Sequence, residues 1–312
     1  MKIVFFGSAA FACNSLQKLI ENKCAIKAIV TQPDKPKGRT LKLSPTCVKL
    51  LAQQHKLNIL EPTNLKSIDF IKTLKNFEAD LFVVVAYGRI LTNEILSMPK
   101  IFTINLHPSM LPKYRGPAPI NWAIINGDNQ TGVSIAKVNQ KLDSGDIILQ
   151  ESVVINKTDD VITLTKRLAE IGAIKLLETV KLIEKNNFKL IPQEEIKTSY
   201  ARKIKKDDGI IEWGDDAATI INLWRGTLGW PGVYTYLNNK IIKLINIETC
   251  VNFHGKAGKI LDISNKGIIV SCGKDAILIK QLQPESKKIM SAQEFIQGYK
   301  IKIGDSFGKT ID

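Results

Sequence analysis

At 312 residues the chain is long enough for two domains, and 44% hydrophobic with 24% charged residues is a globular balance that excludes disorder as the default. The net charge of +14 suits a polyanionic partner, but 38 of the 44 basic residues are lysine, so charge alone carries little weight. Five cysteines (Cys13, Cys24, Cys47, Cys250, Cys272), scattered and without a CxxC pair, indicate neither a disulfide framework nor a metal site.

The start, MKIVFFGSAAFAC, imitates a lipoprotein signal, yet its apolar run from Ile3 to Phe6 falls short of the roughly seven residues an export signal needs. It is read as a first buried strand, a turn at Gly7 and a helix from near Ala10 to about Asn22. No apolar run approaches the roughly 18 residues of a membrane span, so a cytoplasmic protein without a membrane partner is expected. GSAAFA holds one glycine where a dinucleotide fingerprint needs three, which disfavours NAD.

Downstream, the AIKAIVT strand precedes a loop and a helix over Cys47 to His55, followed by a helix over Ile68 to Phe77. The LFVVVAYG strand, a short helix over Thr92 to Ser97, the IFTINLH strand and a helix over Pro119 to Ile125 come next. GVSIAKV and DIILQESVVI add strands that could pair antiparallel, and a long helix from about Asp160 to Lys185 closes the region. Strands alternating with helices predict an α/β fold with a doubly wound, mostly parallel, Rossmann-like sheet over residues 1–187.

Residues 188–206, with Pro192 and mixed charges, read as a linker. Beyond it, short strands punctuated by Gly and Asn (GVYTYL, KIIKL, AGKIL, GIIVSC, AILIKQL) predict a smaller β-barrel over residues 207–312, with helical turns near Ala217 to Trp224 and Ser291 to Gln297. The Asn238-Asn239 pair suits a hairpin turn.

The chemistry concentrates in IFTINLHPSMLPKYRG, Ile101 to Gly116, and in LDSGD at Leu142 to Asp146. In a strand, Asn105 and His107 share one face while Phe102, Ile104 and Leu106 take the other. Pro108 ends the strand, which puts both polar groups near a carboxyl-end tip, where open α/β sheets place their ligands. A single histidine at a strand end is more often a hydrogen-bonded structural residue. His107 is one of three in the chain, beside His55 and His254, and it leads into a Pro- and Gly-rich loop with Tyr114 and Arg115, which tips the balance toward function.

These blocks, with FFGSAAFA, TQPDKPKGR, VVVAYGRIL and GWPGVYTYL, resemble the folate-dependent formyltransferases over nearly the whole chain, and within them the tRNA-dependent branch. That resemblance implies a formyltransferase sheet with an OB-like C-terminal barrel that binds tRNA. The implied reaction moves the formyl group of 10-formyltetrahydrofolate to the α-amine of methionine on initiator tRNA, without a metal, in a monomer. Asn105 would donate to the developing oxyanion, His107 would stabilise it or relay a proton, and Asp143 would orient the imidazole and favour its charge. By the same resemblance Ser109, Met110, Leu111 and Pro112 contact the folate. Tyr87, Gly88, Arg89, Ile90 and Leu91 line the pterin pocket with Asn139, Gln140, Lys141 and Leu142.

The Asp34 to Lys42 segment matches a loop particular to the tRNA-dependent members. Its Lys35, Lys37, Arg39 and Lys42 would neutralise acceptor-stem phosphates, Arg39 foremost, and Arg202, Lys203, Lys205 and Lys206 form a second basic cluster. Residues 1–190 hold 26 basic and 16 acidic residues and the rest 18 and 14, so RNA binding is expected to involve both domains. The alternatives are a formyltransferase for another amine, such as an amino-sugar nucleotide or glycinamide ribonucleotide, a formyl-folate hydrolase, and a non-catalytic tRNA-binding protein.

Overall fold

The computed structural model describes residues 1–37 and 42–308. The chain divides into two compact units, Met1–Pro119 with Gln130–Val154 and Thr163–Arg202, and Ile120–Asn129 with Ile155–Ile162 and Lys203–Asp312.

The first unit opens with β1 (Lys2–Gly7), α1 (Phe11–Glu21) and β2 (Ala25–Val30), then a two-stranded ribbon of β3 (Lys35–Lys37) and β4 (Lys42–Ser44). It continues through α2 (Cys47–Gln54), β5 (Ile59–Leu60), α3 (Ile68–Lys75), β6 (Leu81–Val85), α4 (Asn93–Leu96) and β7 (Phe102–His107). After α5 (Pro119–Ile125) come β8 (Gln130–Lys137), β9 (Ile147–Val154) and the long α6 (Val161–Glu184). Seven strands form one sheet in the order β5-β2-β1-β6-β7-β8-β9. The five up to β7 are parallel, and β8 and β9 add antiparallel to that edge.

Near-continuous apolar strands are what a sheet covered on both faces requires. Val4, Phe6 and Phe82 sink into a core with Phe70, Ile71 and Leu74 of α3 and Ile95 of α4. On the other face Leu106 of β7 lies against α6, so closely that a Cβ at Gly172 would come within 2.9 Å of its Cδ2. α2 and α4 begin at capping side chains: Thr46 accepts from the Lys49 amide and Thr92 from that of Ile95.

The second unit holds α7 (Ala217–Thr227), β10 (Val233–Leu237), β11 (Lys240–Cys250), β12 (Ile260–Ser264), β13 (Gly267–Ser271), β14 (Ala276–Pro284), β15 (Met290–Ser291) and α8 (Ala292–Tyr299). Its antiparallel sheet runs β10-β11-β14-β13-β12, with β15 on β14. The β10 to β11 turn carries Asn238 and Asn239 at φ of 50° and 62°, the left-handed pair that the dipeptide predicts. The expected barrel is, among the described residues, an antiparallel sheet in which no ladder joins β12 to β10. α5 belongs with this unit: Asn121 Nδ2 donates to the Gly226 carbonyl at 2.8 Å, and a Cβ at Gly226 would come within 2.5 Å of Ile125. No helix among the described residues is long and apolar enough to cross a membrane.

Candidate active site

β7 pairs with β6 on one side and β8 on the other, which fixes its register and therefore which side chains share a face. Asn105 and His107 project to the same side, and both reach Asp143 in the loop between β8 and β9. Asn105 Nδ2 donates to Asp143 Oδ1 at 3.3 Å, and His107 Nδ1 lies 3.6 Å from Asp143 Oδ2. The Gly116 amide donates to the same Oδ2 at 2.8 Å. His107 is buried, and its Nε2 stands 2.9 Å from the Tyr114 carbonyl. A carbonyl only accepts, so Nε2 carries a proton and Nδ1 is the nitrogen turned to Asp143.

Unusual backbone makes this convergence possible. Asp143 and Tyr114 are left-handed, with φ of 48° and 61°, and Gly116 has φ of 119°. Added to Gly116, a Cβ would meet the Ala201 carbonyl at 2.7 Å; at Gly145 it would meet the Lys137 carbonyl at 1.7 Å. Both sites accept only glycine, which is what lets the chain close around the aspartate.

The residues expected to contact folate are placed as follows. Ser109, Met110, Leu111 and Pro112 directly follow β7, tied down by Ser134 and Gln150. Ser134 Oγ donates to the Ser109 carbonyl at 2.6 Å and accepts from the Leu111 amide at 3.0 Å, and Gln150 Nε2 donates to the Leu111 carbonyl at 2.9 Å. Met110 packs on Gly132 of β8. Tyr87 to Leu91 follow β6, next to β7 in the sheet, with Tyr87 and Leu91 buried. Gly88 is left-handed at φ 76°, and Arg89 donates to the carbonyls of Pro62 and Thr63 at 2.7 and 2.9 Å, so its guanidinium anchors the loop. Ile90 is 85% exposed. Asn139, Gln140, Lys141 and Leu142 form the exposed rim that leads into Asp143.

In the basic segment, Lys35, Pro36 and Lys37 face Ser44, Leu43 and Lys42 across the β3 to β4 ribbon. Its apex, including Arg39, lies outside the described residues. Asp34 is ion-paired to Lys49 at 2.8 Å, and Asp34 with Glu61 raises the Lys49 ammonium above its ordinary range. A cavity of about 350 Å³ opens beside the ribbon, with Ser8, Gln32, Lys35, Thr46 and Tyr87 on its wall. Arg202, Lys203, Lys205 and Lys206 are exposed.

The sequence reading missed the segment expected to be a plain linker. Arg115 N donates to the Ser199 carbonyl at 2.9 Å, Ala201 N to the Arg115 carbonyl at 2.7 Å, and Tyr114 N to Ser199 Oγ at 2.9 Å. The segment therefore clamps the residues that hold His107 and Asp143.

Residues 1–180 match the formyl transferase family and residues 203–300 the formyl transferase C-terminal domain family. A methionyl-tRNA formyltransferase of Citrifermentans bemidjiense is 40% identical over 309 residues, covering 99% of this chain and 97% of the relative. One from Caldicellulosiruptor saccharolyticus is 45% identical over 315 residues, covering 98% and 99%. Among solved structures, HypX from Aquifex aeolicus in complex with tetrahydrofolic acid superposes with a TM-score of 0.63 at 16% identity, over 98% of this chain and 48% of that one. A sugar 3N-formyl transferase in the presence of dTDP and 5-N-formyl-THF gives 0.67 at 21%, over 92% and 99%. These two structures speak for the fold, whereas the near-full-length sequence matches speak for the family. The chain belongs to the formyl transferase family and, within it, to the methionyl-tRNA formyltransferases.

Proposed function

We propose that Asn105, His107 and Asp143 carry this chain's transfer of a formyl group from 10-formyltetrahydrofolate to the α-amine of methionyl-tRNA. The observation behind this is a single carboxylate held by the Asn105 amide and the Gly116 N–H and set 3.6 Å from His107 Nδ1. Bound 10-formyltetrahydrofolate supplies a formyl carbon whose oxygen gains negative charge under amine attack and whose nitrogen leaves with a proton. Asn105 has two amide N–H groups; one points at Asp143 at 3.3 Å, and the other suits the oxyanion, a role worth about 2.7–4 kcal/mol per donor. Asp143 Oδ2 and His107 Nδ1 face each other across a gap that fits proton exchange with the attacking amine. With Nε2 tied to the Tyr114 carbonyl, Nδ1 is the atom through which His107 holds or releases the proton.

The folate fits the residues present. Ile90 and Leu142, at 85% and 52% exposure, offer apolar surface on the two loops expected to flank the pterin, surface that a planar ring would cover. The contacts of Ser109 to Pro112, Tyr87 to Leu91 and Asn139 to Leu142 with folate are part of the same proposal.

For the RNA, we assign Lys35, Lys37, Arg39 and Lys42 to acceptor-stem phosphates, and Arg202, Lys203, Lys205 and Lys206 to further backbone contacts. The cavity beside the β3 to β4 ribbon suits passage of the charged 3′ end toward the strand tips. The division into a catalytic domain at 1–187, a crossing at 188–206 and an OB-like RNA-binding domain at 207–312 belongs to this proposal. So do a cytoplasmic location and a monomeric state. Register shifts in β11 at Leu244 to Ile247 and in β12 at Ile260 to Asp262 supply the bulges that curl a sheet toward a barrel.

The test is formyl transfer from 10-formyltetrahydrofolate to charged initiator tRNA, with an amino-sugar nucleotide as a second acceptor. Transfer to the tRNA alone, lost in His107→Ala, is expected. Full activity in that variant overturns the mechanism, and transfer only to the sugar overturns the acceptor.

A further inference from the structure

Arg115 is fully buried and is among the largest side chains with no exposure in the described residues. A buried cation persists only where its N–H groups are satisfied. Here Nε and Nη2 both donate to Gln193 Oε1, at 3.0 and 2.8 Å, and Nη1 donates to the two oxygens of Glu195 at 3.0 and 3.3 Å. Glu195 also meets Lys141 at 3.1 Å. The Gln193 amide is oriented by the guanidinium, because only its oxygen can accept from two converging N–H groups. Its Nε2 is thereby turned the other way, where it donates to the carbonyls of Asp143 and Gly145 at 2.9 and 2.7 Å.

Those two carbonyls flank the bend that presents the Asp143 carboxylate. An aspartate at φ 48° is in a sparsely populated region, held there by bonds from outside its own loop. Gln193 supplies them on the main chain, and Gly116 N supplies one on the carboxylate at 2.8 Å. The tripeptide Tyr114 to Gly116 thus reaches both His107 and Asp143. Its first carbonyl meets His107, its last amide meets the Asp143 side chain, and its arginine reaches the Asp143 backbone through Gln193.

We infer that Arg115 and Gln193 are positioning residues for formyl transfer, setting the Asp143 carboxylate against His107 and Asn105 without touching substrate. The inference rests on the role given to Asp143 above. Partners of this kind are typically worth 10- to 100-fold in activity when removed from metal-site ligands, and the same reasoning applies to an oriented carboxylate.

The test is a cycle of Gln193→Glu, Asp143→Asn and the double variant, read as kcat and KM for both substrates. Gln193→Glu keeps an acceptor for Arg115 but faces two carbonyl oxygens with a carboxylate oxygen, so the Arg115 anchor survives while the hold on Asp143 is lost. The expected result is a kcat about 10- to 100-fold lower, each KM within about twofold, and no further loss when Gln193→Glu is added to Asp143→Asn. A kcat within about twofold of wild type, or a loss undiminished in the Asp143→Asn background, overturns the positioning role. Full activity in Asp143→Asn overturns the assignment of Asp143 itself and this inference with it. Where Gln193→Glu folds poorly, Arg115→Lys is read in the same cycle, since a compact ammonium does not reproduce the planar fork of Nε and Nη2 that orients the glutamine.

Discussion

Asn105 and His107 stand out in the sequence because a two-residue spacing in an extended strand gives them one face, and Pro108 marks where that strand stops. The partnership with Asp143 has no such signature, since 38 residues separate it from Asn105 and only the β8 to β9 loop brings it back. Gly116 and Tyr114 act through backbone atoms, which no residue type announces. Asn105→Ala is expected to lower kcat about 10²- to 10³-fold, with little change in KM for folate, in a steady-state formylation assay. A rise in KM at unchanged kcat would instead assign the amide to ground-state binding.

Among the elements, the helices were legible chiefly from apolar spacing: α5 spans Pro119–Ile125 as expected, and α8 also starts at a capping box between Ser291 and Glu294. The β3, β5 and β15 strands were not, because two or three residues carry no period. The 188–206 segment holds only short 3₁₀ turns and single-residue bridges, at Ile191 and Tyr200, so its contacts with Tyr114 and Arg115 left no period to read. The loop between β8 and β9 is pinned where the Lys137 amide donates to the Asp146 carbonyl at 2.9 Å. Gly145→Ala places a Cβ 1.7 Å from the Lys137 carbonyl, which forces the loop and Asp143 to move. A kcat loss of up to about 100-fold is expected from a displacement of about 1 Å, and a kcat equal to wild type would show that the loop absorbs the methyl.

The 188–206 segment carries a pH dependence. Lys141 and then Arg115 depress the Glu195 carboxyl below its ordinary value. A depressed acid stabilises the fold fully above its unfolded pKa and loses that contribution as pH falls through the folded value. The difference in Tm between wild type and Glu195→Gln should be constant above the ordinary carboxylate range and shrink below it; a difference that grows on acidification would refute the ion pairing.

At the scale of the molecule, the division into an α/β unit and an antiparallel β unit was readable from the change in strand spacing, whereas closure of the second sheet was not, because spacing fixes strand number and not register. Nor was it evident that α5, in the α/β half by sequence, packs on Gly226. The +14 net charge gains meaning only with the family, which makes RNA the substrate. Raising salt from low to moderate strength should increase KM for charged tRNA about tenfold or more while leaving KM for folate nearly fixed. Arg39→Ala should reduce the salt slope by about one; an unchanged slope would remove Arg39 from the phosphate contacts. The most direct measurement is single-turnover formylation of initiator methionyl-tRNA by saturating enzyme and 10-formyltetrahydrofolate, wild type beside Asp143→Asn. Formyl-methionyl-tRNA forming with the wild type, at a rate about 10²-fold or more above the variant with both substrates still bound, is the predicted result. Equal rates in the two proteins, or no formylation by either, would contradict it.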